Sequence, residues 1–252
     1  MLDRATFVRP IAHRGLFDPA RGVIENSGSA FEAAIAAGYG FECDLRPAAG
    51  GLPIVFHDES LDRLVEGSGP VSKVGVSELA RLRYRHAGEP ILTFADLIDL
   101  NAGRAPMLVE IKSEWGPPDA RFLAEIARLA TGYRGPIALM SFDPVVMTEL
   151  RHLAPAVPRG IVSGRYHNDD SEGWWGHLLS AERQERLTHL LESAPAAPCF
   201  YAYHVKALPT PVTRFVREVL GLPLFAWTVR DEADRQSAAQ WADAPIFEGY
   251  RP

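Results

Sequence analysis

Cysteine is scarce in this chain: Cys43 and Cys199 are the only two in 252 residues. Two cysteines make no disulfide framework, so the fold must be held by packing. Long apolar runs are missing as well. None approaches the ~20 residues needed to cross a bilayer, which speaks against stable membrane insertion. Residues 1–12 carry Asp3, Arg4 and Arg9 and run into His13 without an apolar signal core, so a cytoplasmic protein is expected. Nor is there a surplus of positive charge. Lys and Arg number 26 against 32 Asp and Glu, a net charge of -6, whereas a nucleic-acid partner calls for a basic footprint. An anionic ligand must therefore be met locally, by a metal ion and a few basic side chains.

What the chain does have is apolar content. At 47% hydrophobic residues it can fill a core, which excludes disorder. Its length suits one (β/α)8 barrel or two small domains. Strand-like and helix-like stretches alternate. Strands are predicted at Phe7–Ala12, Tyr39–Leu45, Pro53–Phe56, Met107–Ile111, Ile137–Met140, Arg159–Val162, 199–205 and Leu224–Val229. Helices are predicted at Ser27–Ala37, Phe94–Asn101, Pro118–Thr131, Pro144–Leu153, 177–193, Pro211–Leu220 and Asp231–Trp241, with Ser27 and Thr93 as N-caps. Eight strands alternating with helices imply a parallel sheet closed into a TIM (β/α)8 barrel. Residues 58–92 break the rhythm and read as a short excursion after the third strand. With no repeat, low-complexity tract or linker, residues 1–252 form a single domain in this reading.

Four short runs carry the chemistry: Ala12-His13-Arg14-Gly15, Glu42-Cys43-Asp44, His57-Asp58 and Glu110-Ile111-Lys112. Each lies at, or just after, the end of an apolar strand. Residues two apart on a strand share a face, so Glu42 and Asp44 project together while Cys43 packs outward. Glu110 and Lys112 pair in the same way. Carboxylates are hard oxygen ligands suited to Mg or Ca. The C-terminal strand ends of a barrel are where its active site lies, and His13, Glu42, Asp44, His57, Glu110, Lys112, Ser141 and Trp227 all fall there.

These runs, together with Ile24-Glu25-Asn26-Ser27, Leu61-Asp62-Arg63, Leu92-Thr93-Phe94, Ser141-Phe142-Asp143 and Trp227-Thr228-Val229, resemble the glycerophosphodiester phosphodiesterase family. The resemblance runs through most of the chain. It implies a TIM barrel that hydrolyses a small-molecule phosphodiester with one divalent metal ion, Mg or Ca. By position it makes Glu42, Asp44 and Glu110 the metal ligands and His13 and His57 the acid/base pair. Arg14 and Lys112 match the phosphate contacts, Glu25 and Asn26 the supporting hydrogen-bonding pair at the substrate, and Trp227 the aromatic wall. Products would be glycerol 3-phosphate and an alcohol. The division between the histidines is not legible in sequence; His13 as base and His57 as acid is the working assignment. Two departures stand out: Ile24 where proline is usual, and Ile246-Phe247-Glu248-Gly249-Tyr250 where the family ends in Thr-Asp-x-Pro.

Competing readings concern single residues. Arg14 has a structural alternative in an ion pair with Glu25, and Lys112 in one with Glu110. Asp58 suits a brace for a loop or histidine. Trp174 and Trp175, in the 163–177 loop, suit either a lip over the site or packing against the next helix. Arg81–His86 reads as a solvated helix face. At the level of the whole chain, a phospholipase D-like enzyme acting on lysophospholipid or sphingolipid would use the same residues. A non-catalytic phosphate-binding barrel is the alternative from another class.

Overall fold

The computed structural model describes residues 1–166 and 178–252. Among these, nine strands make one sheet: β1 (Ile11–Ala12), β2 (Gly40–Pro47), β3 (Pro53–Val55), β4 (Met107–Ile111), β5 (Ile137–Ser141), β6 (Arg159–Ser163), β7 (Phe200–His204), β8 (Leu224–Val229) and β9 (Ala244–Phe247). All but β3 pair in parallel, in the order β1-β9-β8-β7-β6-β5-β4-β2, and β1 also pairs β2, which closes the barrel. With helices between the strands, this is a TIM barrel. The excursion after the third predicted strand is present, but that strand is not a barrel stave. β3 runs antiparallel to β2, with Leu45 opposite Val55 and Pro47 opposite Pro53. The eighth stave is β9. Its four residues include Pro245, which disguises a strand because proline cannot donate to the ladder. The first strand is also shorter than the apolar run suggests. Asp3 caps a helical turn at Arg4–Phe7, leaving only Ile11–Ala12 extended.

Alternation along the strands divides the core. Outward residues such as Phe41, Cys43, Met107, Val109 and Leu139 pack under the helices, with Phe31, Phe94, Leu97, Phe122 and Ile126 over them. Inward residues such as Ile11, Leu108, Met140, Phe200, Phe225 and Ile246 fill the barrel, where Leu2 and Phe7 join them. Cys43 is thus the small outward-packed hydrophobe its position implied. At β2 the inward positions further along are Glu42 and Asp44, so the apolar fill gives way to acid at the C-terminal end.

The helix N-termini follow local chemistry. The Ser27 side chain accepts from Ala30 N at the start of Gly28–Ala36, and Thr93 and Asp96 form a reciprocal capping box at Phe94–Asn101. The 177–193 expectation condenses to Ala181–Thr188, and Pro211–Leu220 to an α turn at Pro211–Arg214 followed by a π segment at Phe215–Val219. The excursion builds a small core of its own, in which Ile54, Phe56, Leu61, Val65, Val71, Leu82, Tyr84 and Ile91 are buried. Arg81–His86 is not a solvated helix face. Tyr84 within it is fully buried and stacks on Phe56 at 6.3 Å, and the segment pairs in isolated bridges at Val65–Tyr84 and Arg83–Pro90. Trp174 and Trp175 lie outside the described residues. Among the described residues, no helix is long and apolar enough to cross a membrane.

Candidate active site

The site begins with the turn after β1. Gly15, at φ 81°, lies so close to Ala30 that a Cβ there would meet its backbone carbon at 2.8 Å. The turn also holds Arg14 at φ 56°, which aims its N–H at Glu42 Oε2, 3.0 Å away. Glu42 is therefore fixed by the backbone of the neighbouring strand's loop. Register does the rest: on β2 and β4, Asp44 sits beside Glu110. One carboxylate oxygen from each of Glu42, Asp44 and Glu110 comes within 4.8 Å of the others, and all three residues are buried.

Lys112 lies on this cluster. Its Nζ is 2.8 Å from Asp44 Oδ1 and 2.5 Å from Glu110 Oε1, so the ion pair with Glu110 weighed from sequence is present, joined by one to Asp44. Arg14 adds its Nε at 3.4 Å from Asp44 Oδ2. Three buried acids against two cations do not balance locally. Burial, with the charges of Asp44 and Glu110, pushes the Glu42 carboxyl well above the usual carboxylate range. Asp44 is also desolvated, yet Lys112, His57 and Arg14 hold its carboxyl well below that range. Burial raises Glu110 against the pull of Lys112. Glu42 Oε1 is buried without a hydrogen-bond partner. Buried polar oxygens are rarely left so. An all-oxygen set with one bare buried oxygen and an excess of negative charge fits a hard divalent cation.

Two histidines stand over the acids. His13 Nδ1 bonds Glu248 Oε2 at 2.7 Å, and His57 Nδ1 bonds Asp58 Oδ1 at 2.8 Å. Burial pushes Glu248 up, but the His13 hydrogen bond and charge, with Arg230 behind them, bring it down to about 2. Asp58 is likewise desolvated but held well below the usual range by His57 and Arg63. Both carboxylates are thus ionised acceptors. Each imidazole donates from Nδ1 and keeps Nε2 for chemistry. Burial and then Arg14 lower His13, and burial and then Lys112 lower His57 to about 4.

A cleft of about 570 Å³ opens on these groups. His13, Arg14, His57, Glu110, Lys112 and Trp227 line it, and Arg46, Phe142 and Arg230 extend the lining. Trp227 meets Phe142 edge-on at 5.2 Å and donates its indole N–H to Ser163 O at 3.2 Å. Glu25 and Asn26 stand behind the cleft wall. Asn26 pairs reciprocally with Asp44, donating from Nδ2 at 2.8 Å and accepting from its N–H at 3.2 Å. Glu25 accepts from Arg14 Nη1 at 2.8 Å, the ion pair anticipated for Arg14. Ser141 is structural: its hydroxyl donates to Ile111 O.

Residues outside the candidate set also support the site. Glu248 and Arg63 hold its side chains, and Arg46 donates to the His57 carbonyl at 2.6 Å. Arg63 lies in the run Leu61-Asp62-Arg63, and Arg46 ends the run Phe41-Glu42-Cys43-Asp44-Leu45-Arg46, which shares in the family resemblance. Glu248 was visible only as a departure from the family's C-terminal pattern.

Both the sequence and the fold have known relatives. The profile of the glycerophosphoryl diester phosphodiesterase family matches residues 13–247. A glycerophosphodiester phosphodiesterase of Caldanaerobacter subterraneus is 26% identical over 237 residues, 90% of this chain and 87% of the relative. One from Bacillus subtilis is 24% identical over 83% of this chain and 73% of its own length. Among solved structures, a phosphodiesterase of Oleispira antarctica in complex with the product sn-glycerol-3-phosphate superposes with a TM-score of 0.72 at 21% identity, covering 95% of this chain and 92% of that one. A Silicibacter pomeroyi protein gives 0.74 at 23% identity over 96% and 90%; both share the fold. The chain belongs to the glycerophosphoryl diester phosphodiesterase family and is a phosphoric diester hydrolase.

Proposed function

We propose that this chain hydrolyses glycerophosphodiesters to glycerol 3-phosphate and an alcohol, with His13 and His57 as the acid/base pair. In this reading one divalent ion, Mg or Ca, is held by Glu42, Asp44 and Glu110. The observation that carries the proposal is the pairing of each histidine, on one cleft, with an ionised carboxylate at Nδ1.

The residues divide the work as follows. Arg14 and Lys112 bind the phosphate oxygens and oppose the charge that builds there. The ion, when bound, adds a further positive charge against those oxygens. Trp227 and Phe142 wall off water and orient the organic part. His13, neutral because of burial and Arg14, takes the proton of the nucleophile at Nε2. That nucleophile is the glycerol 2-hydroxyl in a first step, giving a cyclic phosphate; in a second, water opens the ring and the roles reverse, His57 taking the proton of water and His13 returning one to the 2-oxygen. In the first step His57 delivers a proton to the leaving alkoxide. Burial and Lys112 act against that role by lowering its pKa to about 4. An anionic diester beside Nε2 supplies the opposing charge, so substrate binding itself loads the acid.

Product analysis tests the reading. Glycerophosphodiesters incubated with the purified chain should yield glycerol 3-phosphate, cease to do so in EDTA, and resume with added Mg or Ca. Full turnover in a rigorously chelated sample would remove the ion from the mechanism. Release of free glycerol, with the phosphate left on the alcohol, would remove the proposed bond cleavage.

A further inference from the structure

Arg63 belongs to the excursion, does not line the cleft, and has a half-exposed side chain. Its guanidinium is nevertheless forked on both sides. Nε and Nη2 donate to the two oxygens of Asp58 at 2.6 and 2.8 Å, and Nη1 and Nη2 donate to the two oxygens of Glu25 at 2.9 and 2.8 Å. The particular atoms matter. Nη2 meets Asp58 at Oδ1, the oxygen that accepts from His57 Nδ1, and meets Glu25 at Oε1, the oxygen that accepts from Arg14 Nη1. A single line of hydrogen bonds therefore runs from His57 through Asp58, Arg63 and Glu25 to Arg14, with every link at 2.8 Å.

We propose that Arg63 is a positioning residue that fixes His57 and Arg14 relative to each other, so that proton donor and phosphate contact act on one diester in register. The inference rests on the roles given above to His57 and Arg14. Exposed ion pairs stabilise a fold little, so the weight of this one falls on geometry. Only arginine has the planar fork that can grip two carboxylates at once; a lysine at this place offers one point charge and cannot hold both. Without the fork, two carboxylates sharing one nitrogen are left to repel, and each can turn its partner out of line. Small displacements of reacting groups are costly in rate.

The test compares Arg63→Met, Arg63→Lys, Asp58→Asn, Glu25→Gln and the double variants with Arg63→Met. Two substrates are used: a glycerophosphodiester with an alkoxide leaving group, and a p-nitrophenyl diester that needs little acid. Loss of an outer partner of a working histidine commonly costs about 10- to 100-fold. Arg63→Met should lower kcat by about tenfold or more on the first substrate and distinctly less on the second. Arg63→Lys should recover only part of the loss. Adding Asp58→Asn or Glu25→Gln to Arg63→Met should cost less than about twofold, because the line is already cut. A kcat within twofold of wild type in Arg63→Met overturns the proposal. So does an equal loss on both substrates with full additivity, which is what a purely structural residue would give. If Arg63→Met fails to fold, the doubles built on Arg63→Lys carry the same comparison. His57→Ala, measured alongside, reports separately on the acid assignment: an equal loss on both substrates there sinks that assignment, while non-additivity at Arg63 still reads the coupling.

Discussion

Replacing Glu248 by Gln and by Ala grades the removal of one negative charge from the back of His13. The Nδ1 to Oε2 distance is 2.7 Å, and the two side chains are 11% and 21% exposed. The bond is thus charge-assisted and shielded from solvent, a type worth about 1.5–3 kcal/mol. In the proposed mechanism His13 gains a proton as the nucleophile is activated, so the carboxylate's attraction is stronger in the transition state than in the ground state, and the loss should fall on kcat. Alanine removes the whole interaction, which predicts a fall of roughly 10- to 150-fold. Glutamine reaches equally far and keeps an acceptor oxygen but not the charge. Neutral bonds are about half as strong, so glutamine should cost about 1 kcal/mol, or roughly fivefold. Steady-state kinetics on a glycerophosphodiester at saturating divalent ion separate kcat from KM. Equal rates in the two variants, both within twofold of wild type, would refute the argument, as would a loss confined to KM.

Other perturbations probe the rest of the site. A p-nitrophenyl diester should partly rescue His57→Ala and not His13→Ala, since only the former lacks a proton for a poor leaving group; equal losses on both substrate types contradict the assigned division of labour. Lys112→Met should slow turnover by about two to three orders of magnitude, the effect of about 3–4 kcal/mol of lost charge stabilisation. It should stay slow when the ion is titrated to saturation, and recovery to the wild-type rate would make Lys112 a support for the metal site alone. Glu248, held at about 2 against an ordinary 4.5, contributes stability that is present above pH 4.5 and lost as pH falls toward 2. The difference in Tm between wild type and Glu248→Gln should therefore be widest above pH 4.5 and close on the acid side; a gap independent of pH contradicts the pairing.

Much of the site is legible because it obeys a rule of direction. His13, Glu110 and Lys112 are inward positions at, or just past, strand ends, Glu42 and Asp44 are inward positions along β2, and period-two alternation assigns them without any structure. Strand identity is less legible. Pro53–Val55 and Ala244–Phe247 are both short and each contains a proline, and an apolar run encodes burial but not whether its neighbour is parallel. The expected eight staves therefore included the antiparallel β3 and omitted β9, two errors that cancel in the count. Glu248 escapes for a related reason. It follows the unrecognised β9, 235 positions from His13, and nothing local marks it as a partner. Arg63 is visible as a residue, but its meaning lies in which atoms it joins, and spacing cannot supply that.

The adjacency of β1 and β9 has a consequence for biosynthesis. His13 N–H is bonded to Phe247 O at 2.9 Å, and its ring to Glu248, so the proposed base is assembled across the seam of the barrel. Glu42, Asp44, Glu110, Lys112 and His57 all leave the ribosome within the first half of the sequence, yet His13 has no carboxylate at Nδ1 until Glu248 emerges. Completion of the proposed base therefore waits on closure of the barrel at the β1–β9 seam.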